Sequence, residues 1–168
     1  MENTVYCLAS TEPQANEILI HLRNLGFSSS EISILLTDNK ETKNLSVKED
    51  AVRGARKGGI AGGVLGALAG LTALTIPAVG PLLAAGPLLG ALSGAAVGGV
   101  VGGLAGGTGA LTHIGVPERE VMHVEQKLHQ GAILIAVHSE DSARLDRAFR
   151  VFRSSGAEDI FSAEDLAA

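Results

Sequence analysis

Residues 5–9 form a short apolar run that reads as a buried strand. From Glu12 the apolar period lengthens, and Ala15, Ile18, Leu19, Leu22 and Leu25 fall on one face of a helix that Gly26 closes. Ile32, Ile34 and Leu36, alternating with Ser33 and Leu35, then predict a second strand. The last third of the chain repeats the order. Residues 132–137 read as a strand, and residues 141–155 as a helix with Leu145, Ala148, Phe149 and Phe152 inward, closed by Gly156. Ile160 and Phe161 mark a final strand.

The two units superpose at an offset of 130 residues, which sets Val5 on Ile135, Cys7 on Val137, Leu22 on Phe152 and Gly26 on Gly156. Two β-α-β units in one sheet, with their helices on one face, predict an α+β fold of ferredoxin-like type. The expected organisation is a first half over residues 1–48, an inserted helical hairpin over 49–114 with its turn at about 76–87, and a connecting helix with the second half over 115–168. The connecting helix is expected over 117–130, with Pro117 in its first turn and Gly131 at its end.

The insertion has its own pattern. Between Gly58 and Pro117 no residue carries a formal charge except the titratable His113, and Pro77, Pro81 and Pro87 divide the stretch in two. The first arm carries Gly54, Gly58, Gly62, Gly66 and Gly70; the second follows Gly86 with Gly90, Gly94, Gly98, Gly102 and Gly106. Four-residue steps between apolar side chains indicate helix rather than flexible linker. Each glycine disfavours helix by roughly 1 kcal/mol relative to alanine, so 11 of them need compensation on the order of 10 kcal/mol. Hydrocarbon surroundings or close backbone packing through Gly-x-x-x-Gly faces would supply it.

A second small row, Ala55, Gly59, Gly63 and Ala67 in one arm and Ala95, Gly99, Gly103 and Gly107 in the other, lies about 100° around each helix. Two small faces suit two neighbours, which predicts a homo-oligomer. About 20 apolar residues also suffice to cross a bilayer, and Arg53, Arg56 and Lys57 precede the first arm where a cytoplasmic membrane flank would be basic.

Composition narrows the function classes. A net charge of −5 and 3% aromatic residues leave no footprint for nucleic acid. Cys7, the one cysteine, excludes a disulfide within the chain and reads as a small buried hydrophobe. The N-terminus shows no basic segment followed by an apolar one, so no secretory signal is expected and the α/β part is assigned to the cytoplasm. No phosphate loop is present, Gly107-Thr108-Gly109 lacks the rest of a dinucleotide fingerprint, and the five histidines show no helical pair suited to a metal. No catalytic constellation, cofactor, metal or small-molecule ligand is therefore expected. Arg144, Arg147, Arg150 and Arg153 read as a solvated face, with anionic lipid headgroups as the alternative.

The segments Ile76-Pro77-Ala78-Val79-Gly80-Pro81, Ala84-Ala85-Gly86-Pro87 and Gly115-Val116-Pro117-Glu118, set in this split layout, resemble the bacterial heat-induced or general stress protein family. That resemblance covers most of the chain; it implies induction under stress and supplies no catalytic residues. The leading expectation is a non-enzymatic stress-associated protein that inserts into the inner membrane or coats a membrane, and homo-oligomerises. Alternatives are a soluble cage, tube or filament in the cytoplasm, and a regulatory module that binds a small ligand.

Overall fold

The alternation from strand period to helix period at Glu12 is realised in a computed structural model that describes residues 3–37, 72–76, 80–88, 111–112 and 114–162. The chain runs β1 (Asn3–Ala9), α1 (Glu12–Asn24), β2 (Ile32–Thr37), β3 (Thr72–Ile76) and β4 (Gly80–Ala85). It continues with α2 (Glu118–His129), β5 (Ile133–Ser139), α3 (Ser142–Ser154) and β6 (Glu158–Ser162). The fold is α+β. Among the described residues six strands form one sheet in the order β3-β4-β2-β5-β1-β6, every neighbouring pair antiparallel.

The two halves end their helices alike. Thr11 caps α1 by accepting from the Gln14 amide, and Asp141 caps α3 by accepting from Ala143. Gly26 and Gly156 both take positive φ, +84° and +66°, and the residue after each sends its N–H back to the last full turn, Phe27 to Leu22 and Ala157 to Phe152. Arg144 ties the halves together at that end, forming an ion pair with Glu31 at 2.9 Å and lying over the Phe27 ring at 4.7 Å.

Helices α1 and α3 cover one sheet face, where Val5, Cys7, Ile34, Ile135 and Val137 meet Ile18, Leu22, Ala148 and Phe152 in a continuous apolar core. Two inward assignments on these helices shift. Val151 is buried and Phe149 is 38% exposed, because the buried stripe of α3 centres on Leu145, Ala148 and Phe152 and leaves position 149 at its margin. Leu25 is exposed because it caps α1 after the helical face has ended.

The opposite sheet face is covered too, which a sheet with helices on one side only does not require. Tyr6, Leu8, Leu35, Leu134 and Ala136 pack there against Val121, Val124 and Leu128 of α2, together with Leu88, Leu111, Ile114 and Val116. Lys127–Glu158 at 2.6 Å and His123–Asp159 at 2.8 Å fasten α2 to β6. Asp159 sits at φ +50° where the β1–β6 register slips between Tyr6 and Leu8, an irregularity that leaves its carboxylate on the α2 side.

The interval between the two arms differs from the expected turn between helices. Thr72–Ile76 and Gly80–Ala85 are strands, paired from Thr72↔Ala84 to Ile76↔Gly80. The four-residue glycine row stops at Gly70, and Thr72, Thr75 and Ile76 bring the β-branched side chains that favour extended backbone. Pro81 opposes Thr75 just outside the part of β4 that pairs with β2, which begins at Leu82, so its missing N–H interrupts no bond to β2.

Candidate functional site: the junction between sheet and insertion

The most chemically distinctive place among the described residues lies at one end of the second sheet face, where the chain leaves β4. Strand alternation puts Thr4 of β1, Ser33 of β2 and His138 of β5 on this face, and all three are buried. His138 Nδ1 lies 3.0 Å from Thr4 Oγ1, and its Nε2 lies 2.9 Å from Ser33 Oγ. Ser33 Oγ also accepts the Leu88 amide at 3.0 Å, while the His138 backbone amide donates to the Glu31 carbonyl at 2.8 Å. The polar atoms so buried are bonded to one another, which is what their burial demands.

Gly86 makes the crossover possible. Its φ of +83° is in the left-handed region, and a Cβ there would stand 2.1 Å from the Ile32 carbonyl oxygen and 2.8 Å from Ser33 Cα. Pro87 then begins helical backbone with its fixed φ, and Leu88 turns its side chain into the apolar cluster beneath.

The same cluster receives the chain again at residues 111–116. Leu111 and Thr112 have helical backbone, and the amides of Gly115 and Val116 return to the carbonyls of Thr112 and Leu111 at 2.9 and 3.0 Å. Gly115 has φ +92°, the helix-ending geometry also seen at Gly26. The Ile114 carbonyl accepts a hydrogen bond from the Tyr6 hydroxyl, and the Tyr6 ring stacks on Phe161 with centroids 5.2 Å apart. At the opposite end of the face, Thr37 Oγ1 donates to the Leu128 carbonyl at 2.9 Å. Three sheet residues with hydroxyl groups thus hold backbone atoms of the segments laid over them.

Burial sets the acid–base character here. Desolvation pushes the Tyr6 phenol up to about 12, against a smaller opposing effect from the Thr4 hydroxyl. The Cys7 thiol, on the other face, is raised well above its ordinary value by burial alone. Ser33 and His138 have the separation of a nucleophile and its base, but Ser33 is wholly buried, its oxygen already holds the Leu88 amide, and the second imidazole nitrogen meets a hydroxyl where a triad would place a carboxylate. What this arrangement does is anchor a chain crossing.

Of the residues singled out in the sequence, Gly86 and Pro87 fall at this junction, and Pro81 lies at the other end of β4, opposite Thr75. The repeat glycines from Gly54 to Gly70 and from Gly90 to Gly106, with Pro77, Arg53, Arg56 and Lys57, lie outside the described residues. No helix among the described residues is long and apolar enough to cross a membrane. None of the described His, Cys, Asp and Glu residues gather in threes as a metal group would require. The hydroxyl–imidazole network was not singled out from sequence. Its signal is present as polar residues at regular strand positions, Thr4, Ser33 and His138, but such residues read as solvent-facing until the second face is known to be covered. No family model, curated protein or solved structure matches this chain.

Proposed function

We propose that the chain is a non-enzymatic, stress-associated protein that homo-oligomerises through its glycine-repeat arms, which contact a membrane while the α/β domain stays on the cytoplasmic side. The four strands β2-β5-β1-β6, with α1 and α3 on one face, support a ferredoxin-like split repeat in which the arms are inserted between its second and third strands. The observation that carries the proposal is the junction itself. Buried polar bonds, a steric requirement for glycine and a shared apolar cluster are all spent on fixing where the second arm leaves and where it returns. A domain that only tolerated a linker would have no use for them. The stress association rests on the resemblance of segments 76–81, 84–87 and 115–118 to that family; the last two have described residues at the junction, and the first has described residues in the β3–β4 pair.

One observation favours the soluble assembly as a second reading. Leu88 and Leu111 belong to one cluster on one sheet face, whereas the ends of a straight helix between them would stand about 35 Å apart. An arm whose two ends return to one place suits packing against other arms at least as well as a single passage through a bilayer.

The test replaces Gly62, Gly66, Gly94 and Gly98 with leucine and follows the full-length protein by native mass spectrometry and by flotation with vesicles. Loss of the higher assembly supports the arm-packing proposal; an unchanged assembly sinks it. Flotation of the unaltered protein that survives a carbonate wash favours insertion, and an assembly that stays off vesicles favours the soluble reading.

A further inference from the structure

The outer surface of the helical layer, opposite the insertion, carries a pattern that no feature of the fold uses. Helices α1 and α3 lie antiparallel, since Gln14 at the start of α1 donates to the carbonyls of Ser155 and Gly156, and Arg144 at the start of α3 donates to Gly26 beyond the end of α1. Those contacts place Ile20 level with Phe149. Both are solvent-exposed, at 46% and 38%. The same levels set Glu17 beside Arg153 and Arg23 beside Asp146, all four exposed. Along its own direction each helix therefore presents an acid, an apolar residue and a base: Glu17, Ile20 and Arg23 on α1, and Asp146, Phe149 and Arg153 on α3. Within the chain neither charge pair forms an ion pair among the described residues; Arg23 instead reaches the Ser29 hydroxyl at 3.3 Å.

We propose that this surface docks on the same surface of a second copy, related by a two-fold axis running along the helices. That rotation lays α1 of one protomer on α3 of its partner and keeps every residue at its own level. Ile20 then meets the partner's Phe149, Glu17 meets the partner's Arg153, and Arg23 meets the partner's Asp146. Because an isologous contact uses each pairing twice, one self-complementary row supplies two apolar and four ionic contacts. Charge also selects the occupant. An anionic bilayer lying on this layer would face Glu12 and Glu17 of α1 as well as the arginines of α3, whereas a second copy sets Glu17 against the partner's Arg153 and Asp146 against the partner's Arg23. The interface uses none of the arm residues, so it is independent of how the arms associate.

Charge exchange in the full-length protein tests this. The variants Glu17→Arg and Arg153→Glu should each weaken self-association about tenfold in sedimentation equilibrium, since each sets like charges together twice. The double variant E17R/R153E should restore it to within about threefold, as direct pairing requires. In a mixture of the single variants Ile20→Cys and Phe149→Cys, oxidation should yield the mixed cross-linked dimer in preference to either like pair. Circular dichroism verifies that each variant is folded. Failure of the double exchange to rescue association, or cross-linking of like with like only, overturns the proposal. So does a protein that binds anionic vesicles through Phe149 while self-association is unaffected by Phe149→Glu.

Discussion

Gly86 and Ser33 approach so closely that a methyl group on the glycine would enter the serine backbone, 2.8 Å from its Cα. Gly26 has almost the same φ, +84° against +83°, yet a Cβ there would meet nothing within 4 Å. The pair separates conformational from steric demand. Gly26→Ala is expected to lose about 1 kcal/mol, the penalty of a left-handed backbone, and Gly86→Ala about 3 kcal/mol or more. Denaturant unfolding of both variants measures the difference, and equal losses would remove the steric argument for the crossover.

Ser33→Ala leaves both the Leu88 amide and an imidazole nitrogen without their bond, and is expected to destabilise the protein by about 2–3 kcal/mol. The double variant Ser33→Ala with His138→Leu should lose less than the two single losses combined, because the partners share one network. Amide exchange at Leu88 should accelerate in Ser33→Ala, and an unaltered rate there would contradict the anchoring of the crossing by Ser33.

The chain has a single tyrosine and no tryptophan, so its ultraviolet titration reports Tyr6 alone. In the folded protein the phenol should ionise at about 12, and in denaturant near its ordinary value of 10. With the folded value raised, the associated stability is intact below pH 10 and is lost as pH rises toward 12, by roughly 2 kcal/mol. Tyr6→Phe should remove that alkaline loss, at the expense of about 1 kcal/mol near neutrality for the bond to Ile114. A folded-state midpoint near 10 would mean that the second face is open to water.

Glu31 shows the opposite sign. The Ser28 amide is the main cause holding its carboxyl below the usual range, and the Ser28 hydroxyl and Arg144 add to it against a desolvation that raises it. Its contribution is present above the unfolded carboxylate value and is lost as pH falls through the lower folded one. The difference in Tm between the unaltered protein and Glu31→Gln should therefore shrink as pH drops below about 4. A difference that held constant down to pH 2 would show that the charge plays no part.

Both β-α-β units were legible because their signals are local: a change of apolar period and a closing glycine recur 130 residues apart. The Phe149 assignment failed by one position on the helix, a rotation that depends on which neighbours α3 meets. The β3–β4 hairpin was masked by its flanks. Residues 72–85 continue an apolar, glycine-bearing tract, and pairing establishes the strands within it, β3 on β4 and β4 on β2, which is distant in sequence. The Thr4–Ser33–His138 network was hidden for the same reason, since a polar residue in an alternating strand changes meaning once a second layer covers it.

The pairing of β4 with β2 has a mechanical consequence. The four residues from Leu82 to Ala85 run alongside Ile34 to Thr37, and the chain leaves the Ala85 end through Gly86 to Leu88, whose amide Ser33 holds. Tension on the segment beyond Leu88 that acts along β4 would load these backbone bonds together in shear, where a sideways pull would unzip them singly. The Leu88–Ser33 bond lies nearest the point of traction, and its rupture would be the first event by which strain in the arms reaches the sheet.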